Sequence, residues 1–349
     1  MYIAGSHGGR CARLLYVRTL FCLLIGAASL PAQVPRVGIL DFYGLRKVKE
    51  ERIRKTAGVQ EGDRLPGSKG DVEDRIETIP GVVAARVEAI CCTGEEAILY
   101  IGIEEREAPH FDFHLPPKGD VTLPADIVED YRSFLRAFAE AARAGQTGED
   151  VSRGYALAAN PTARSYQEKF VPLANANYGS LRQTLRDSGD PEQRAIAAYV
   201  LGYARPTPPV VDDLQYAMQD VDESVRANAT RSLASIATFA QKNPGLEIRV
   251  QPTWFIEMLN SIVWSDRYHS ARALVGITES RDAGTLDRLR ERALPALLEM
   301  ARWKTLAHAL PAFILVGRIA GLPEAQIDAA WSRGDRESVL ERVVTPRKH

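Results

Sequence analysis

Two short amphipathic helices joined by a tight turn form the clearest pattern in the chain. Tyr178, Leu181 and Leu185 share one helical face and precede the turn Ser-Gly-Asp-Pro. Asp190 is a residue type that caps helix N-termini, and Pro191 then occupies the first helical position. Because a pair this short cannot bury both of its faces, the pattern predicts further copies packed on either side.

Related sequence recurs downstream, which predicts an all-α superhelical repeat region at about 164–321 within 125–349. We align Asp190 with Asp222 and, more loosely, with Asp266 and Lys304. Small and aliphatic positions follow each turn: Ala195, Ala227, Ala271 and Ala309, then Leu201, Leu233, Ile277 and Leu315. The segments SGDPEQRAIAAYVLGYA and DVDESVRANATRSLASIA resemble the HEAT repeat family, most clearly its short bacterial variety.

Two arginines recur at a fixed distance from the turns. Arg194 and Arg226 lie four residues after Asp190 and Asp222. They could form a ligand-binding ladder, but we favour a structural ladder that bonds neighbouring aspartates and carbonyls within the stack.

The segment 37–105 has a different pattern, in the order β-α-α-β-β. Strand-like alternation is followed by two helical segments, which end at Gly58 and at Pro80-Gly81. In the next strand apolar and polar residues alternate: Val83, Ala85 and Val87 against Ala84, Arg86 and Glu88. A last strand points Leu99, Ile101 and Ile103 inward. We therefore predict an α+β domain, a small sheet with two helices on one face.

This domain resembles a POTRA domain over roughly seventy residues. The resemblance rests on the helix entry at Gly44 to Ile53, the turn Glu61-Gly62-Asp63 and the closing Ile-Gly-Ile-Glu-Glu. It implies a location outside the cytoplasm, as in proteins of outer-membrane barrel assembly, secretion and cell division. It also implies binding of other chains, often by strand addition at a sheet edge.

The N-terminal residues 1–32 are typical of a secretory signal peptide. Arg10, Arg13 and Arg18 precede an apolar run of about eleven residues, shorter than the roughly twenty that span a bilayer. Removing this segment leaves 41 basic and 45 acidic residues, which disfavours nucleic-acid binding. The expected location is therefore exported, either periplasmic or envelope-associated.

A proline-rich linker at 106–124 contains the one local motif that suggests chemistry. His110, Asp112 and His114 alternate in PHFDFHLPP, so an extended backbone would project all three to one side as metal ligands. The alternative, which we favour, is a strand whose Phe111 and Phe113 pack against a domain. Cys91 and Cys92 could form a vicinal disulfide or simply end a strand.

We find no constellation of catalytic, cofactor-binding or metal-binding residues. His269 and His308 have no carboxylate at a spacing typical of a triad, and no phosphate loop or HExxH motif occurs. The favoured hypothesis is an exported, non-enzymatic scaffold whose sheet edge and concave helical face bind envelope or outer-membrane proteins. We also consider peripheral membrane association, and the sequence defines no oligomeric state. The alternative is an envelope enzyme or metal-binding module with its site at the linker or the domain interface.

Overall fold

The computed structural model describes residues 34–93 and 96–344. The predicted signal segment 1–32 lies outside the described residues, as do the side chains of Cys91 and Cys92. From Pro35 onward the chain forms one compact unit, a small N-terminal sheet region followed by a helical repeat region.

The sheet region has the element order predicted from the sequence. Its elements are β1 (Arg36–Tyr43), α1 (Glu50–Ala57), α2 (Lys69–Glu77), β2 (Val82–Thr93) and β3 (Glu96–Glu105). The central strand is β3, which pairs parallel with β1 and antiparallel with β2. One sheet face packs on α1 and α2, and the apolar residues between them form a separate core centred on Leu40, Ile53 and Ile76.

The second face of the sheet differs from the prediction. Ala85 and Val87 point into the core as expected, but Val83 is about half exposed. The polar positions of the same strand, Arg86 and Glu88, are only partly exposed to water, because they contact the helical repeat. A period of two shows that a strand has two faces, and it cannot show whether the polar face meets solvent or another part of the protein.

The repeat region is a row of helix pairs. Its helices are α3 (Ala125–Arg143), α4 (Pro161–Ala176), α5 (Tyr178–Asp187), α6 (Pro191–Leu201), α7 (Pro208–Ala217), α8 (Glu223–Lys242), α9 (Thr253–Met258), α10 (Trp264–Ile277), α11 (Ala283–Met300), α12 (Leu306–Ile319), α13 (Glu324–Ser332) and α14 (Glu337–Val344). The second helices of successive pairs, α6, α8, α10 and α12, pack side by side. Their apolar faces form one continuous core. Such a core is expected because a single helix pair cannot bury its apolar faces without its neighbours.

Local sequence explains where the first pairs turn. Asp190 and Asp222 are the N-caps of α6 and α8, and their side chains accept hydrogen bonds from the first backbone amides of those helices. One feature departs from an all-α region: β4 (Glu149–Asp150) and β5 (Leu157–Ala158) form a short antiparallel pair between α3 and α4.

Candidate protein-interaction surface

Buried arginines connect successive helix pairs at their turns. Each arginine donates to the carbonyl of the residue six positions earlier in its own turn, and each also pairs with a carboxylate of the next pair. The ion pairs are Arg194–Asp220 (2.7 Å), Arg226–Asp266 (2.8 Å) and Arg267–Glu299 (3.0 Å). The predicted structural ladder is therefore present, and its guanidinium groups are not available to a ligand.

The third step of the ladder corrects the sequence alignment. Asp266 is not a capping residue equivalent to Asp190, because α10 begins after Val263 and Asp266 lies within its first turn. Its buried carboxylate instead accepts from Arg226 and from Ser261. The residue equivalent to Arg226 is Arg267, which sequence comparison missed because valine replaces aspartate at the cap.

The sheet region supplies the caps that the later pairs lack. Neither α10 nor α12 has a side-chain cap of its own. Glu88 of β2 accepts a hydrogen bond from the amide of Trp264 at 2.6 Å, at the start of α10. Asp41 of β1 accepts one from the amide of Lys304 at 2.8 Å, just before α12. Carboxylates at helix N-termini satisfy free amides and complement the helix dipole, so the sheet stabilises these two helices directly.

Aromatic side chains fill the space between the sheet and the repeat. Tyr100 stacks on Trp264 with ring centroids 5.2 Å apart, and its hydroxyl bonds to the His308 ring at 2.8 Å. The Tyr43 hydroxyl donates to the Ile262 carbonyl at 2.6 Å. This approach requires a glycine in β3. A Cβ atom at Gly102 would lie 2.3 Å from the Ile262 carbonyl oxygen.

Burial at this interface changes the acidity of both capping carboxyl groups. Desolvation raises the pKa of Glu88 to about 7, with Glu223 and Asp266 adding to the rise. It also raises the pKa of Asp41, although the Lys304 amide and ammonium group oppose the shift. Both groups therefore hold a proton more tightly than they would in water.

The linker continues along the same edge of the repeat. Residues 110–114 do not form the strand of the favoured alternative, but its phenylalanines do contact the repeat: Phe111 is buried, and the more exposed Phe113 lies under the guanidinium of Arg226 at 4.5 Å. Further on, the Gly119 amide donates to the Asp187 carbonyl at the first turn. The sheet and linker together thus cover the turns of four successive helix pairs with the protein's own chain.

The three candidate metal ligands of the linker do not converge. His110 bonds to Asp112 at 3.1 Å, whereas the His114 ring packs against Tyr216 with centroids 4.4 Å apart. Throughout 34–93 and 96–344, no group of three or more histidine, cysteine or acidic residues is placed to hold a metal ion.

The outer edge of β2, one of the two sheet edges open to the expected strand addition, is partly occupied. The amide of Ala85 donates to Glu77 at 2.9 Å, and that of Val87 donates to Glu73 at 2.7 Å. Both carboxylates come from α2. An incoming strand would have to displace them at these two positions, because unpaired edge amides are what strand addition uses.

An open groove remains between the second helices α8 and α10. On one side the groove is bounded by Phe138 of α3 and by Val151, which follows β4. Its floor is lined by Arg231, His269 and Arg272. The groove holds about 600 Å³ of solvent-accessible space. That volume lies within the roughly 300–1,000 Å³ range of protein ligand clefts.

Positive charge dominates this groove. Arg231 pairs with Glu149 of β4 and lies over the Tyr199 ring. Burial, with a smaller contribution from the nearby Arg272 and Arg231, lowers the pKa of His269 to about 4. His269 is therefore neutral at pH 7. From the sequence alone, we assigned His269 no functional role.

A match to a protein-family model supports the repeat architecture of the first helix pairs. The family model described as HEAT repeats matches residues 180–248, which span α5 to the loop after α8. A designed armadillo repeat protein is similar at 16% identity, with a TM-score of 0.33, covering 57% of this chain and 92% of that one. An engineered protein solved by a structural genomics consortium is similar at 14% identity, with a TM-score of 0.34, covering 63% and 95%. None of the curated proteins matches the chain.

The fold is therefore that of a helical repeat protein that carries a small sheet on its turns and contains HEAT repeats at residues 180–248, and repeat folds of this kind are typical of protein-interaction scaffolds. Among the residues that the structure describes, no helix has the length and apolarity needed to cross a membrane.

Proposed function

We propose that this protein is an exported, non-enzymatic scaffold of the bacterial cell envelope that binds other proteins through its helical repeat. The main support for the proposal is the contrast between two surfaces of the repeat, its turn edge and its groove. The turn edge is covered by the sheet and linker of the same chain, whereas the groove over α8 and α10 is open. Stacked repeats present such surfaces to partner chains.

Two sequence features support the envelope location. The residues 1–32 have the basic start and short apolar run of a secretory signal. The sheet region resembles POTRA domains, which act outside the cytoplasm. A fusion of the full chain to a reporter that is active only after export tests this part, and activity confined to the cytoplasm would contradict it.

Site-specific crosslinking in intact cells tests the binding role. A photoreactive amino acid at Ala234, in the groove, should give discrete crosslinked products with envelope proteins that mass spectrometry can identify. The matched control is the same group at Arg288, an exposed position on α11 outside the groove. Equal patterns from the two positions would contradict binding in the groove. Point substitution is preferable to removal of residues 37–105, because that deletion also removes the caps of α10 and α12.

A further inference from the structure

The charges on the second helices are distributed unevenly. Across α8, α10 and α12 the only acidic residues are Glu223 and Asp266. Glu223 pairs with Arg86 of the sheet at 2.8 Å, and Asp266 is fully buried against Arg226. Neither carboxylate reaches the groove. Its floor is thus positive in a chain whose formal net charge is −1.

One groove cation has no partner of opposite charge. Arg231 is neutralised by Glu149, but Arg272 is exposed and lies within salt-bridge distance of no carboxylate in the described part of the chain. Its guanidinium is 5.7 Å from the centroid of the Tyr268 ring. Exposed arginine beside aromatic residues is the composition that is enriched at binding hot spots.

The opposite side of the groove is of mixed character. Phe138 and Val151 are its apolar residues, and Thr147 and Glu149 are its polar ones. The Glu149 carboxylate is already paired with Arg231. A ligand would therefore contact apolar side chains on one side and the exposed Arg272 on the other. An extended peptide presents alternate side chains to opposite sides. A peptide in which acidic residues alternate with small apolar ones therefore matches both walls.

From this complementarity we infer that the groove between α8 and α10 binds a short acidic segment of a partner protein, with Arg272 pairing to its carboxylates. The inference rests on the proposed scaffold function and names the chemistry of the partner. Arginine and carboxylate form charge-assisted bidentate hydrogen bonds, which gives Arg272 a geometric as well as an electrostatic preference for an acidic residue.

Calorimetric titration with defined probes tests the inference. The probe is a capped ten-residue peptide of alternating glutamate and alanine, and its uncharged counterpart replaces glutamate with glutamine. The acidic peptide should bind the full chain, more weakly as salt increases, and the counterpart should not. Arg272→Glu should weaken binding about tenfold or more, whereas the matched charge reversal Arg288→Glu should leave it unchanged.

A second readout localises the peptide. A peptide bound next to Arg272 changes both the charge and the solvent exposure around His269, so the pKa of His269 should shift from about 4 when the peptide is present, as followed by NMR of the imidazole protons. Binding without a change at His269, or unaffected by Arg272→Glu, overturns the inference. Tighter binding of a ten-nucleotide thymidine strand than of the peptide also overturns it, in favour of a nucleic-acid site.

The failure of this inference can be told apart from failure of the scaffold function. If crosslinking through Ala234 still captures discrete envelope proteins, and Arg272→Glu leaves those products unchanged, the scaffold stands and the acidic chemistry is wrong. Circular dichroism melting of both arginine variants checks that each retains the wild-type fold.

Discussion

The capping contact between Glu88 and α10 predicts a specific pH dependence of stability. The Glu88 carboxylate is largely withdrawn from water and accepts from the Trp264 amide, yet desolvation raises its pKa from 4.5 to about 7. The free-energy cost of burying the charge therefore exceeds the stabilisation that the single backbone hydrogen bond and the nearby Arg86 provide.

The sign and size of the effect follow from linkage. Between pH 4.5 and about 7 the folded protein keeps a proton on Glu88 that the unfolded chain has released. The unfolded state then binds fewer protons, so the free energy of unfolding falls as pH rises through this window and levels off above it. At about 1.4 kcal/mol per tenfold change in proton affinity, the full difference is about 3 kcal/mol.

The substitution Glu88→Gln isolates this contribution. The amide oxygen of the variant can still accept from the Trp264 backbone but carries no charge to desolvate. We expect urea unfolding, followed by tryptophan fluorescence, to show equal stability of the two proteins near pH 4.5. At pH 8 the variant should be more stable by roughly 1–3 kcal/mol.

Two control variants sharpen the comparison. Glu88→Ala removes the hydrogen-bond acceptor as well as the charge. Its free energy of unfolding should be lower than that of wild type by about 1 kcal/mol at low pH, where Glu88 is uncharged. Glu51→Gln alters an exposed glutamate of α1 and should leave the pH profile unchanged. A difference between wild type and Glu88→Gln that is constant from pH 4.5 to pH 8 would refute the reasoning.

Two further predictions concern packing and the arginine ladder. Gly102→Ala places a Cβ atom 2.3 Å from the Ile262 carbonyl and should lower the free energy of unfolding by about 1–3 kcal/mol, measured in urea. Gly67→Ala, where no atom lies within 4 Å, is its control, and equal midpoints for both would contradict the docking geometry. Arg226→Met should cost about 3–5 kcal/mol because it leaves the Asp266 charge buried and unpaired. The added change Asp266→Leu should recover most of that loss, and a double variant as unstable as the sum of both singles would count against the pair.

Local signals in the sequence were sufficient for much of the repeat. Asp190 and Asp222 cap α6 and α8 as their residue types predict, because a cap involves only a side chain and the next two or three amides. The sequence also predicted the first two arginines of the ladder, Arg194 and Arg226. Arg267 was missed because Val263 occupies the capping position before it, so no aspartate marks the start of α10.

Docking of the sheet on the repeat could not be predicted from these signals. Glu88 occupies a polar position of an alternating strand, whereas Asp41 interrupts the apolar run of β1, and acidic side chains ordinarily face water. Only the three-dimensional arrangement shows that both carboxylates meet helix N-termini more than 170 residues later in the chain. The groove was equally hidden, since Arg231 and His269 become neighbours only when α8 packs beside α10.

The weak repeat signal after α8 and the polar face of the sheet have one physical explanation. A helix that begins against another part of the protein does not need its own capping aspartate, so Val263 can stand where Asp190 and Asp222 stand in earlier pairs. Glu88 instead accepts a hydrogen bond from the amide of Trp264, the first residue of α10. The third pair therefore departs from the repeat pattern where the sheet docks, and the sheet acts as part of the scaffold rather than as an independent module beside it.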